Sequence, residues 1–254
     1  MKKIIIGLVA VGLSLSMAAS AQMNGQKVQI HEPSTGLQEG VEPQQLKVGV
    51  QAGQAGQAGK QIAYPSLATS SNAVKAAVKN MQIERDAFME RVEANREAAV
   101  ANRAQVKEEL KTKLQNIQNE AKKKAVERLD ENFVKINANF VEKWTDAVSR
   151  IDASLAKIVS AVNESATSTS TSPDLTMINT MIGEANLDIA SAKAAIEDQA
   201  QKAYAVTVTT EENLKMDVFS VRDLLNTDLK SVREMIKAAH ASVVDVLVEY
   251  NKIK

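Results

Sequence analysis

"ERLDENFVKINANFVEKWTDAVSRIDASLAKI", Glu127 to Ile158, is the stretch on which the fold turns. Its apolar residues belong to a series that runs Ala125, Leu129, Phe133, Ile136, Phe140, Trp144, Ala147, Ile151, Leu155, Ile158, Val162. The spacings are 4, 4 and 3 repeated, so the pattern closes every 11 residues. Eleven residues over three turns is ~3.67 per turn, which describes a nearly straight helix or one with a slight right-handed supercoil. Val126, Val148 and Val159 widen the stripe, which predicts contact with more than one neighbouring helix.

Outward from this stretch, no glycine or proline occurs from Ser66 through Ser172. The region is rich in good helix formers, and a helix is expected to start with Ser71 as N-cap and to fade near Asn163. Unbroken, its ~90 residues would reach roughly 135 Å. Its first half differs from its second. Phe88, Val92, Val106, Leu110, Leu114 and Ile117 are apolar, but Asn95 and Asn102 interrupt the seam and charges dominate. Such a stretch either projects as a charged helix or pairs with another chain.

"SATSTSTSPDL", Ser165 to Leu175, breaks the helix. Ser172 offers an N-cap and Pro173 suits a first helical position, so a second bundle helix is expected to run to about Tyr204. Its seam alternates large and small residues: Ile178, Ile182, Ala185, Ile189, Ala192, Ile196. The five β-branched residues Val206 to Thr210 then have low helix propensity and predict an extended corner without a strand partner. Thr209 and Glu212 have capping-box spacing. The last helix carries Val218, Leu225, Val232, Ala239, Val246 and Ile253, with a second row at Leu229, Ile236, Val243 and Tyr250.

The ends and the composition bound where and how the chain works. Residues 1–21 read as a secretory signal: Lys2 and Lys3, an apolar stretch from Ile4 to Leu15, then Ala19-Ser20-Ala21 as a cleavage site. An uncleaved anchor is the alternative, and the apolar run is short for a span of ~20 residues. Residues 22–70 hold seven of the eight remaining glycines, three of the four prolines and the triplet repeat "QAGQAGQAGK", and are expected to be a disordered tether. A short partner-binding strand around "QKVQIH" is the alternative there. No cysteine is present, so stability must come from packing. Without Lys2 and Lys3, 29 basic residues face 31 acidic ones. That balance argues against nucleic acid as a partner, and 3% aromatic content argues against stacked bases or sugars.

The search for chemistry yields no catalytic, cofactor-binding or metal-ligating residues, and no cofactor is expected. His31 lies in the tether, and His240 stands beside the Ala239 seam position as a boundary residue. Gly183 stands alone in a helix, where it is expected to permit a close helix contact or a slight bend. Lys122, Lys123 and Lys124 read as a solvated face rather than a headgroup or glycan site. Trp144 reads as core, and Glu108 and Glu109 as exposed carboxylates without a pocket. Asn163-Glu164-Ser165 matches a glycosylation triplet, which arises readily by chance.

Two blocks, "ERLDENFVKINANFVEKWTDAVSRIDASLAKI" and "AYAVTVTTEENLKMDVFSVRDLLNTDLKSVREMIKAA", resemble a group of uncharacterised exported helical proteins of candidate-phyla (Patescibacteria) bacteria. The resemblance covers roughly Gln82 onward and implies no activity, cofactor or site residue. Signal, charged helix and absent cysteines are broadly similar to periplasmic holdase chaperones with coiled-coil arms, although a recognisable β-body and strongly basic charge are missing.

The expected architecture is therefore all-α, elongated and coiled-coil-like. A charged helix over 71–124 leads into an antiparallel three-helix bundle, 125–254, with helices of about 125–164, 173–204 and 210–252. The expected function is an exported, non-enzymatic structural or adaptor protein of the cell envelope or the exterior. It would act through helix-face contacts with a protein partner, or self-associate through the 71–124 helix as a homo-oligomer. A holdase for exported polypeptides is the alternative, and a homopolymeric surface fibre a third reading. The seam carries a direct test: Ile151→Asp should cost several kcal/mol by burying an unpaired charge, whereas Glu93→Lys should cost little. Chemical unfolding of the two variants measures the difference, and equal stabilities would displace the seam.

Overall fold

The computed structural model describes residues 71–168 and 175–253. The chain divides into Met1–Gln51 and Ala52–Lys254, and every described residue belongs to the second unit. The signal, the whole 22–70 tether including His31, and the Ser172/Pro173 cap lie outside the described residues.

Four helices follow in order: α1 (Ser71–Gln115), α2 (Glu120–Ser168), α3 (Thr176–Gln201) and α4 (Leu214–Ile253). No strand occurs among the described residues, so the expected all-α fold is observed. No described helix is long and apolar enough to cross a membrane. Cross-helix bonds give the topology. Arg103 on α1 meets Asp130 on α2, across an antiparallel hairpin. Arg91 meets Glu197, and Arg103 the Tyr204 carbonyl, so α1 and α3 run parallel. Ser242 donates to Asp188 and Lys202 pairs with Asp228, so α3 and α4 run antiparallel. The helices thus alternate in direction, with α2 and α3 each touching all three others while α1 and α4 do not touch.

The helix expected to continue from 71 to near 163 is broken at residues 116–119. Asn116 and Ile117 donate their N–H groups three residues back, tightening the end of α1. Asn119 then accepts the Lys122 N–H through Oδ1 at 3.1 Å, an N-cap that starts α2, with Glu120 favourably placed in its first turn. Buried Ile117 anchors the turn. The break turns α1 back along α2. Val74, Met81, Phe88, Val92, Leu110, Leu114 and Ile117 are all buried, so the charged helix neither projects nor waits for another chain to cover its stripe. Four helices, rather than three, share the core.

The seams of α3 and α4 match expectation: Ile178 through Ile196 are buried, as are Leu225, Leu229, Val232, Ile236, Ala239, Val243, Val246 and Tyr250. Val218 packs partly against the core. On α2 the outcome is a correction. Leu129 and Ile136 are 39% and 40% exposed, whereas the next residues, Asp130 and Asn137, are 2% and 6% exposed. Ala125 is exposed and Val126 buried. A third neighbour, α1, draws the buried face of α2 one residue round. Val126, Val148 and Val159 are buried, as the widened stripe predicts. Trp144 is also core, with its ring centroid 5.1 Å from that of Phe140.

A buried ion pair ties three helices together. Lys193 Nζ on α3 lies 2.8 Å from Asp152 Oδ2 on α2 and 5.7 Å from the ring centroid of Phe88 on α1. The ring face favours the desolvated cation.

Helix lengths explain the extended segment after α3. The 45 residues of α1 span about 67 Å, while the 26 of α3 span about 39 Å. Residues 202–210, extended at about 3.3 Å each, add roughly 30 Å and make up the difference. The segment is a strap along the bundle, not merely a corner. Tyr204, Val206 and Val208 face inward and are buried, while Ala203, Thr207 and Thr209 are exposed. The helix after it begins at Leu214, four residues later than expected. Thr210, not Thr209, accepts the N–H of the third following residue, Asn213, and Thr209 pairs with Asp217 instead of Glu212.

Gly183 also departs from expectation. A Cβ built there meets nothing within 4 Å, so no close contact requires glycine. Gly183→Ala should therefore raise stability by about 0.5–1 kcal/mol through helix propensity and lower unfolded-state entropy, as read by the urea midpoint. A destabilised variant would show that the glycine is needed.

Candidate functional site

The densest group of buried polar side chains lies where α3 ends and the strap begins. It arises because the α1 seam turns polar at the same level: Asn95, Arg96, Ala99 and Arg103 occupy the positions between buried Val92 and buried Leu110. Asp130 and Asn137, one heptad apart on α2, face them.

Arg103 is the centre. Its Nη2 donates to Asp130 Oδ2 at 2.6 Å and to the Asp130 carbonyl at 3.1 Å, and its Nη1 donates to the Tyr204 carbonyl at 3.1 Å. The other carboxylate oxygen, Oδ1, accepts the Val206 N–H at 2.9 Å. Asn137 Nδ2 donates to the carbonyls of Gln199 and Lys202, each at 3.2 Å. Gln199 Nε2 donates to Asn137 Oδ1 at 2.6 Å and to the Tyr204 hydroxyl at 2.8 Å. That hydroxyl donates to Asp228 Oδ2 at 2.6 Å, which also meets Lys202 Nζ at 2.9 Å. Side chains from α1, α2 and α4 thus take the place of a neighbouring strand.

The electrostatics suit holding rather than reacting. Burial pushes the Tyr204 phenol far above its ordinary range, and its bond to the Asp228 carboxylate raises it further against the opposing effect of Gln199. The hydroxyl therefore remains a protonated donor. At the far end of the strap, the Gln118 N–H and then the Lys122 ammonium hold the Glu211 carboxyl below its usual range. These bonds, at 2.9 and 3.0 Å, fasten the strap to the α1–α2 turn.

Two small clefts adjoin the group. One, about 100 Å³, is lined by Arg96, Ala99, Arg103, Asn137, Lys202 and Ala203, among others. The other, about 190 Å³, lies between α1 and α2 beside Lys107, Leu110, Glu127 and Asp130. Both fall below the ~300 Å³ at which small-molecule pockets begin. Among the described residues no three His, Cys, Asp or Glu side chains converge as metal ligands.

The residues singled out from the sequence lie apart. His240 is half-buried beside buried Ala239. Lys122 pairs with Glu211 and Lys123 with Glu120, while Lys124 is exposed. Glu108 binds Lys111 on the exposed face of α1. Asn163 is only 8% exposed within α2, so the glycosylation triplet is not accessible in the folded chain. Arg103, Asp130, Asn137 and Gln199 carried no signal in the apolar pattern. What marks them is a polar break in two seams at matching distances from the α1–α2 turn. No protein-family model, curated protein or solved structure matches the chain.

Removing the cation tests whether Arg103 fixes this junction. Arg103→Met leaves Asp130 buried and unpaired and should cost about 3–5 kcal/mol in urea unfolding. Arg91→Met breaks the exposed pair with Glu197 and should cost under about 1 kcal/mol. Similar losses would make the junction incidental.

Proposed function

We propose that the chain is an exported, non-enzymatic structural or adaptor protein of the cell envelope or exterior, acting through helix-face contacts with a protein partner. One observation carries this reading: among the described residues, three pairs of buried or part-buried ionisable groups are consumed by the fold. Arg103 binds Asp130, Lys193 binds Asp152, and Tyr204 binds Asp228. What faces outward instead is large and apolar at several helix positions. Leu187 on α3 is 52% exposed, and Met216 and Phe219 near the start of α4 are 63% and 43% exposed. These two α4 residues lie one turn apart, with Arg222 stacked 4.5 Å over the Phe219 ring.

The burial of the α1 stripe moves the expected contact from the 71–124 helix to these outward faces. Export and the likeness to exported helical proteins remain part of the proposal and rest on residues 1–21 and the two blocks quoted above.

The test combines mass, crosslinking and a chaperone assay. Light scattering should find one chain per particle. A photocrosslinker at Met216, in cells, should capture one partner at fixed stoichiometry, and Phe219→Lys should abolish capture without lowering the melting temperature. The chain should not suppress aggregation of two unrelated heat-unfolded enzymes. Suppression at equimolar chain would overturn the adaptor reading in favour of a holdase.

A further inference from the structure

The turn between α1 and α2, residues 116–119, contains neither glycine nor proline, and neither occurs from Ser66 through Ser172. Nothing in its composition forbids a helix there. Side-chain contacts close it instead. Asn119 Oδ1 caps α2 through the Lys122 N–H, Ile117 is buried, and Glu211 accepts the Gln118 N–H and the Lys122 ammonium. The Asn116 and Ile117 N–H groups reach back only three residues. Straightened, residues 116–122 would each donate four residues back, and 71–168 would form one helix of about 150 Å.

Helix α1 is also attached in a way that can be transferred. It touches α2 and α3 but not α4, so α2, α3 and α4 remain packed on one another when it leaves. Its cross-helix ion pairs all run one way. Arg91 meets Glu197, Arg103 meets Asp130 and Lys107 meets Glu131, with each cation on α1 and each carboxylate on α2 or α3. Phe88 adds its ring face to Lys193 of α3. An α1 that swings out alone strands Met81, Phe88, Val92 and Leu110 in water and leaves Asp130 without Arg103. The surface that matches these groups one for one is the α2–α3 face of another copy. Because α1 and α2 are antiparallel in the hairpin, two opened chains related by a two-fold axis at their hinges can each lay α1 on the other's face.

We propose that the 116–119 turn is a hinge and that two copies of this chain exchange α1 through it, forming a dimer in which each α1 packs on α2 and α3 of the partner copy. The cross-helix contacts of α1 recur between chains, so the closed and exchanged forms differ at the hinge. Chains folded when dilute close on themselves, and chains folded when crowded exchange. Helix α4, which carries Met216 and Phe219, gives up no contact with α1, so the proposal stands apart from the adaptor reading.

The experiment refolds the full chain from urea at micromolar and at millimolar concentration and resolves the products by light scattering. Single thiols identify the arrangement, since the sequence has no cysteine of its own. One chain carries Lys107→Cys and another Glu131→Cys, exposed positions whose native side chains meet across α1 and α2 at 3.1 Å. Refolded together at millimolar concentration, they should give a dimer that a short bis-maleimide links into a mixed pair. Neither variant alone should link, and the dilute mixture should remain monomeric. Glu120→Pro puts proline at the first position of α2, which the closed turn accepts and a continuous helix does not. It should abolish the dimer and keep the monomer's urea midpoint. Asn119→Ala removes the cap of both hinges, so the roughly fivefold lost at each enters twice and the dimerisation constant should rise about twenty-five-fold. A chain that stays monomeric at millimolar concentration, a dimer without mixed crosslinks, or an equal dimer yield in Glu120→Pro would each overturn the proposal. If Glu120→Pro fails to fold, Asn119→Ala decides, and an unchanged constant there overturns it too.

Discussion

The contact between Arg103 and Asp130 is the constraint around which the rest is arranged. It joins the two arms of the α1–α2 hairpin at 2.6 Å, with side-chain exposures of 13% and 3%. A pair this dry gains little from Coulomb attraction once desolvation is subtracted. Its value lies in direction: a planar guanidinium and a carboxylate each spend one side on the other and the remaining side on the strap backbone. The Tyr204 carbonyl and the Val206 N–H, on two buried residues, are therefore paired. Without that supply, a lone extended segment could not lie in the interior of a helical bundle.

The remainder of the molecule divides into an apolar part and a polar joint. Toward the ends of α2 and α4 the core is made of Val148, Leu155, Val162 and Val246, with Ile182, Ala185 and Ile189 of α3 between them. Shape and volume specify packing there. At the joint, hydrogen-bond geometry does so, through the Gln199 amide that donates to both Asn137 and Tyr204. The Lys193–Asp152 pair acts between these regimes, adding an ionic constraint beside Phe88 of α1. Polar groups here define which surfaces meet, while the apolar seams supply most of the free energy.

The sequence was legible where one pattern had one cause. Ile178 to Ile196 and Leu225 to Tyr250 face a single core, so their period locates it. The pattern misled on α2 because α1 joins α3 and α4 around that helix, and burial of Asp130 and Asn137 depends on donors 27 and 62 residues away in sequence. No local propensity encodes such partners. The α1–α2 turn was hidden for another reason: asparagines, without glycine or proline, close it. Once the turn is missed, α1 necessarily reads as a projecting helix, since its seam has no visible partner. The candidate site was the least legible part, being made of polar residues that interrupt seams rather than of a motif.

The strap has a consequence for how the chain tolerates changes of length. Residues in a helix rotate by about 100° each, so an inserted residue can be absorbed by a local bulge and a modest turn of one face. An extended segment has a period of two, and one residue added or lost exchanges inside for outside. Between Lys202 and Thr210 such a change would expose the valines and present threonines to the core. The strap is therefore a parity-locked gauge of length, open to change in steps of two residues and closed to steps of one.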